Sequence, residues 1–275
     1  MMSRVSEAYR SPLAPDANAG LVVLVTGGGT GLGRAVAREY ARTGARVAIA
    51  GRRPEPLEEV AEELEAGGAE VLAVPGTDVR EPDRVAALVD AVLGRFDRID
   101  VLVNNAGGQF VAAPERISPK GWRAVHRLNV DAVWDLTRTA AERSMIPGGG
   151  GLVVFIGFSP RRGIPMMVHS SAARAALENL AGGLAIEWSR HRIRAVCVAT
   201  GAIDTEAFRA YGDAFVDEAT RMVPLGRIAT PEEVASVIAF LSTSGGASIT
   251  GTTIVVDGGN DAWGLGFPPP QPAQS

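Results

Sequence analysis

Three groups of residues in this chain have the types and spacing for chemistry. The first is TGGGTGLG (26–33), where glycines crowd between an apolar run and a helical pattern. Gly27 permits a sharp turn, Gly31 admits a close backbone approach, and Gly33 lets a helix pack tightly on a strand. Together with Thr30 and Leu32 they form a loop whose following helix offers free N–H groups and a positive dipole end to a diphosphate. The second group is Arg52 and Arg53, which end the next apolar run; no acid lies between Ala45 and Arg53. A carboxylate here would meet free ribose hydroxyls, whereas arginine, with its charge and forked donors, suits a 2′-phosphate. The pair predicts NADP(H) rather than NAD(H). The third group sits in VHSSAARAALENLAGGLAIEW (168–188), where His169, Ser170 and Arg174 share a helical pattern. A serine hydroxyl is a poor acid, arginine stays charged, and histidine titrates near neutrality. This group holds negative charge better than it delivers a proton.

Elements able to position these groups alternate along the chain. Strand patterns cover 21–28, 45–51, 69–76, 100–107, 151–157, 193–200 and 252–259, and helical spacing covers 34–44, 54–68, 83–96, 122–145, 168–190 and 231–244. Continuous apolar strands alternating with helices imply a parallel sheet covered on both faces. The expected fold is α/β, a Rossmann-type doubly wound parallel sheet in a single domain spanning 20–259. Residues 1–19 read as an N-terminal arm, 260–275 as a proline-rich tail, and 203–227 as a lid over the substrate.

Composition narrows the function classes. The 275 residues are 46% hydrophobic and 21% charged, enough for one large core. A net charge of −4 gives no pull toward nucleic acid or anionic membrane. No run reaches spanning length, and the first twenty residues lack the apolar core of a signal peptide. The single cysteine, Cys197, excludes an internal disulfide and suits a reducing cytoplasm. No histidine–carboxylate cluster has ligand spacing, so no metal is expected. Ser-His-Asp hydrolysis lacks a nucleophile-elbow motif.

The glycine loop, Asp78-Val79 after the third strand, NNAG (104–107) and Asn129 in the next helix resemble the short-chain dehydrogenase/reductase family over residues 20–259. The resemblance implies that Asp78 and Val79 meet the adenine. Asn105, Ala106 and Gly107 would line the nicotinamide side, and Asn129 would join the catalytic relay. NNAGGQF (104–110), ISPKGW (117–122) and HSSAARA (169–175) are more specifically similar to the peroxisomal type of trans-2-enoyl-CoA reductase, which shares features with the 2,4-dienoyl-CoA reductases.

Against the wider family, Ser170 stands at the tyrosine position and Arg174 at the lysine position. The serine position falls at Gly157 or Phe158, and Ser159 stands where dienoyl reductases keep an upstream tyrosine. Ketone reduction develops an alkoxide that needs a proton at once, which suits these residues badly. Conjugate reduction of an enoyl thioester puts hydride on the β-carbon and spreads charge onto the thioester oxygen, where preorganised donors hold it. Candidate donors are Ser170, Ser159 and Gln109, with Arg174 adding charge, also to the cofactor ribose, and Asn129 organising a water relay. Phe110 and His169 are candidate substrate contacts; Arg161 and Arg162 stand where a CoA phosphate would enter, but read first as solvated surface side chains.

The expected activity is therefore NADPH-dependent reduction of an acyl thioester or related conjugated carbonyl, in the cytoplasm. Two alternatives fit the same residues: a generic carbonyl reductase, and a non-redox isomerase, cyclase or regulator that binds NADP(H). The resemblance also implies a homodimer or homotetramer through the long helices at 122–145 and 168–190.

Overall fold

The computed structural model describes residues 9–263. Seven strands form one parallel sheet: β1 (Val22–Thr26), β2 (Arg46–Ala50), β3 (Val71–Val74), β4 (Val101–Asn104), β5 (Gly151–Phe158), β6 (Ile193–Thr200) and β7 (Thr252–Val256). Their order is β3-β2-β1-β4-β5-β6-β7. The crossovers run one way from β1 and the other way from β4, so a crevice opens between the C-terminal ends of these two strands.

Alternation of side chains along each strand divides the core into two layers. On one face Val23, Val25, Val47 and Ile49 pack with Val36 and Tyr40 of α1 (Gly31–Arg42). Val234 and Ile238 complete this layer. On the other face Leu24, Ala48, Leu102 and Phe155 pack with Leu88 of α3 (Pro82–Phe96) and with Leu136 and Leu177. On the first of these faces α2 (Pro54–Ala66), which joins β2 to β3, buries Leu57 and Val60. The strands read as unbroken apolar runs because helices cover both faces.

From Pro119 to Gly148 the chain is one unbroken helical rod of α4 (Pro119–His126), α5 (Ala132–Ala140) and α6 (Ile146–Gly148). Two π-helical stretches, Arg127–Asp131 and Ala141–Met145, link them. The rod starts three residues before the pattern at Trp122. The Ser118 side chain accepts from Gly121 N at 3.1 Å, and Pro119 takes the first turn, where its missing N–H costs nothing. Next come α7 (Val168–Glu187), α8 (Glu206–Arg209), α9 (Asp213–Arg221), α10 (Pro231–Leu241) and α11 (Asn260–Trp263). The helix expected over 168–190 ends at Glu187, and Ser189–His191 tighten into a 3-10 turn.

The described part of the N-terminal arm is tied to α1 and α10: Tyr9 OH donates to Ser236 Oγ at 2.7 Å and Asn18 Nδ2 to Thr43 Oγ1 at 2.9 Å. Residues 1–8, and 264–275 of the expected tail, lie outside the described residues.

At Gly33 the first turn of α1 touches the loops that follow β1 and β4. A Cβ there would fall 2.5 Å from Asn105 Nδ2 and nearer still to the Gly27 carbonyl oxygen. Gly33→Ala is therefore expected to cost about 1–3 kcal/mol of stability, seen in thermal unfolding as roughly 2–4 °C of Tm per kcal/mol. The control is Gly94→Ala in α3, where the new methyl meets nothing within 4 Å. It should leave Tm unchanged or raise it.

Candidate active site

The loops after β1 and β4 face each other across the crevice and are stitched together. Thr26 Oγ1 accepts from the backbone N–H groups of Asn105 (3.1 Å) and Ala106 (3.0 Å). Asn105 Nδ2 donates to the carbonyls of Thr26 (2.8 Å) and Gly27 (3.3 Å). The Asn105 amide is therefore a structural tie, and its backbone forms the wall. Gly27 and Gly31 take positive φ, 66° and 51°, which glycine adopts without strain. Gly27, Thr30, Gly31 and Leu32 line a cavity of about 990 Å³, with Asn105, Ala106 and Gly107 opposite. Gly33 is absent from that wall because it packs beneath it. The tight turn, positive-φ glycines and α1 N-terminus fit a dinucleotide diphosphate.

At the far rim Arg52 and Arg53 are exposed beside Asp78 and Val79. Arg80, on the same rim and passed over in the sequence, grips Asp78: its Nε donates to Oδ1 at 2.9 Å and its Nη2 to Oδ2 at 2.5 Å. This hydrogen-bonded pair holds the Asp78 carboxyl down at about 2, and Arg52 adds to the effect. The signal was an arginine two residues beyond the acid, a spacing common enough on surfaces to carry little weight.

The centre of the cavity is built around Arg174 of α7, which is 6% exposed. Its Nη1 donates to the Ile156 carbonyl at 2.5 Å, and the guanidinium lies 5.2 Å from the Phe158 ring centre. Gly107 must be glycine, since a Cβ there would fall 2.8 Å from Asn129 Oδ1 and closer to Arg174 Nη2. Nε has no partner, and no carboxylate pairs with Arg174 among the described residues. Burial pulls its pKa down to about 10, which leaves it charged at neutral pH.

Several of the expected site residues lie off the cavity wall or have their polar atoms engaged elsewhere. Asn129 sits in the π-helical stretch, buried, with its amide donating to the carbonyls of Gly108 and Val125, both at 2.8 Å. Its Oδ1 accepts from Gly108 N at 3.3 Å. It holds the Gly107–Gly108 loop in place and does not open onto the cavity. Ser159 does line the cavity, but its hydroxyl donates to Asp257 Oδ2, a partner 98 residues away. Gly157 cannot be exchanged for serine in place, because a Cβ would fall 2.7 Å from Cys197 Sγ on β6.

Ser170 and His169 are fully buried, and their side-chain polar atoms have no partner. Neither reaches the cavity wall. The His169 ring packs 4.3 Å from that of Phe110, and burial lowers its pKa, so it is neutral at neutral pH. Phe110 is likewise off the wall, while its neighbours Gln109 and Val111 are on it. Arg161 is committed to Glu178 (3.3 Å) and Asp261 (3.2 Å), which removes it as a free phosphate ligand; Arg162 is exposed beside it. Among the described residues there is no metal-binding cluster and no helix long and apolar enough to cross a membrane.

Comparison with known proteins agrees with this architecture. The family profile described as Enoyl-(Acyl carrier protein) reductase matches residues 27–261. The peroxisomal 2,4-dienoyl-CoA reductase of Arabidopsis thaliana is 33% identical over 262 residues, covering 90% of this chain and 87% of that protein. A citronellol catabolism dehydrogenase of Pseudomonas aeruginosa superposes with a TM-score of 0.82 at 36% identity, covering 92% of this chain and 100% of that one. A Beutenbergia cavernae protein described as an NAD(P)-dependent gluconate 5-dehydrogenase, with NADP bound at low occupancy, gives 0.83 at 35% identity over 90% and 100%. Sheet order, glycine loop and these matches agree: the chain belongs to the short-chain dehydrogenase/reductase family of oxidoreductases.

Proposed function

We propose that this protein uses NADPH to reduce an α,β-unsaturated acyl thioester at its carbon–carbon double bond. The observation that carries this reading is the buried Arg174 guanidinium, which has a backbone carbonyl and an aromatic face for neighbours but no carboxylate. A buried charge without a counter-ion is costly, so the site favours a bound group that is or becomes negative. A nicotinamide cofactor, held by the glycine loop and the Asn105–Gly107 backbone, would supply a hydride to the β-carbon of the substrate. The double-bond pair shifts toward the thioester oxygen, and the resulting enolate is held by Arg174, with Gln109 a further polar side chain on the cavity wall. A proton from solvent then completes the α-carbon. No strong acid is needed at the oxygen, which suits a site in which Ser170, one turn from Arg174, lies behind the cavity wall.

The dienoyl-CoA reductase name of the Arabidopsis relative and the enoyl reductase description of the family profile support the thioester. Arg52 and Arg53, with NADP in the Beutenbergia structure, support the phosphorylated cofactor. In the same reading residues 20–259 are the catalytic domain, Asp78 and Val79 flank the adenine, and the enzyme works in the cytoplasm. Trp134 and Ile186, exposed on the long helices, are then covered in a dimer or tetramer.

The test follows NADPH absorbance with purified protein, a panel of trans-2-enoyl-CoA and 2,4-dienoyl-CoA thioesters, and simple ketones in parallel. Oxidation is expected with the thioesters alone, and Arg174→Ala should lower kcat/KM by about 10–100-fold, the worth of a charged hydrogen bond. NADPH binding without turnover on any substrate assigns a regulatory or non-redox role instead.

Two further outcomes follow from charge. Arg174 keeps its proton below about 10, so kcat should be level from pH 6 to 9, without the near-neutral limb of a tyrosine or histidine acid. The double variant Arg52→Ala, Arg53→Ala should raise the Kd for NADPH at least about tenfold. In direct binding measurements it should leave NADH nearly unaffected.

A further inference from the structure

One cavity holds both ends of the reaction, and its charges are sorted. Its arginines, Arg52, Arg53, Arg80 and Arg174, lie at the cofactor rim and the centre. Under the segment 203–227 the charged side chains on its wall are acids, Glu206 and Glu218. This segment is anchored at both ends, with Asp204 N donating to the Ala229 carbonyl at 2.9 Å and Leu225 N to that of Gly258 at 3.1 Å. Between the anchors Phe208, Tyr211 and Phe215 form an aromatic cluster, with ring centres 5.1–6.3 Å apart. In α9 the wall residues Phe215, Glu218 and Ala219, continued by Met222 just past its end, follow helical spacing, so one face of the helix is turned to the cavity.

A second observation comes from Met166 across the same cavity. Its φ is 64°, a left-handed conformation costly for a side chain. Among the described residues it is the non-glycine position on the cavity wall with positive φ. Its carbonyl accepts from Ala112 N at 2.9 Å, while the residue remains 45% exposed. Backbone strain kept to present a polarisable apolar side chain points to use of that side chain.

We infer that the lid end of the cavity, walled by Met166, Phe208, Tyr211, Phe215 and Met222, takes a long uncharged aliphatic tail and rejects chains ending in a carboxylate. The inference rests on the proposed thioester reading and adds the identity of the acyl group. Aromatic faces and thioethers bind methylenes without directional demands, so affinity grows with each methylene covered. Glu206 and Glu218 repel a terminal carboxylate and leave it without a cation under the lid.

The test titrates butyryl-, octanoyl- and dodecanoyl-CoA, and the monothioester of dodecanedioic acid, into NADPH-loaded protein by calorimetry. Turnover of the matching trans-2-enoyl-CoA series is measured alongside. Affinity is expected to rise up to about fourfold per buried methylene, and the dicarboxylic chain should bind at least tenfold more weakly than dodecanoyl-CoA. Glu218→Lys should narrow that gap. Phe215→Ala should flatten the chain-length series, and Met166→Gly should flatten it while Tm holds or rises, which a purely structural methionine would not allow.

Equal affinity across chain lengths, or equal binding of the dicarboxylic chain, overturns the inference even if turnover is found. Chain-length-dependent binding without turnover overturns the reductase reading and leaves the tail site standing. The absence of both overturns both.

Discussion

A guanidinium sealed inside the protein without a carboxylate is the constraint around which this site is arranged. Arg174 reaches from α7 to the Ile156 carbonyl on β5 and lies over Phe158. Its presence fixes Gly107 as glycine, because the space a Cβ needs is filled by the guanidinium and by Asn129. Asn129 in turn is turned inward by a π-helical stretch and grips Gly108 through both its amide nitrogen and its oxygen. Four elements thus converge on one charge. Burial alone would favour its neutral form, yet a pKa near 10 leaves it ionised at any working pH. The result is a fixed positive potential at the floor of a mostly apolar cavity, which favours transition states that gather negative charge there.

The sheet makes this possible by opening between β1 and β4. One loop from each strand lines the crevice, and the Thr26 hydroxyl and Asn105 amide lock the two together before any ligand arrives. Such preorganisation places the α1 N-terminus and the Gly107–Gly108 backbone on either side of one cleft, so that phosphate binding and hydride transfer share a rigid frame. The softer part of the site is elsewhere. The segment of short helices α8 and α9 exposes Tyr211 and Phe215 and is held mainly at its ends, as fits a region that adapts to its ligand.

The architecture was legible because helices bury both faces of the sheet, so strands such as LVVLV and IRAVCVA stand out as apolar runs closed by glycine or polar turns. The role of Gly33 in close packing of the helix was legible too, since the glycine spacing follows directly from that close contact. What the sequence hides is the direction of side chains. Asn129 reads as one more helical polar residue until the π-helical stretch turns it onto Gly108. Ser159 looks like a free donor until Asp257, 98 residues on, accepts its hydrogen. Ser170 and His169 carry the right chemistry at the right spacing yet lie behind the wall, fully buried. Met166 shows nothing in its neighbours that foretells a left-handed backbone.

In the proposed reaction hydride goes to carbon at the far end of a conjugated thioester, with the charge held by a permanent cation. The most direct measurement uses NADPH deuterated at the transferable position, in ordinary water and then unlabelled NADPH in deuterium oxide, with the product analysed by NMR. The account predicts cofactor deuterium on the β-carbon and solvent deuterium on the α-carbon of a saturated thioester from an enoyl substrate. Cofactor deuterium on a carbon bearing a new hydroxyl, as in ketone reduction, would contradict it.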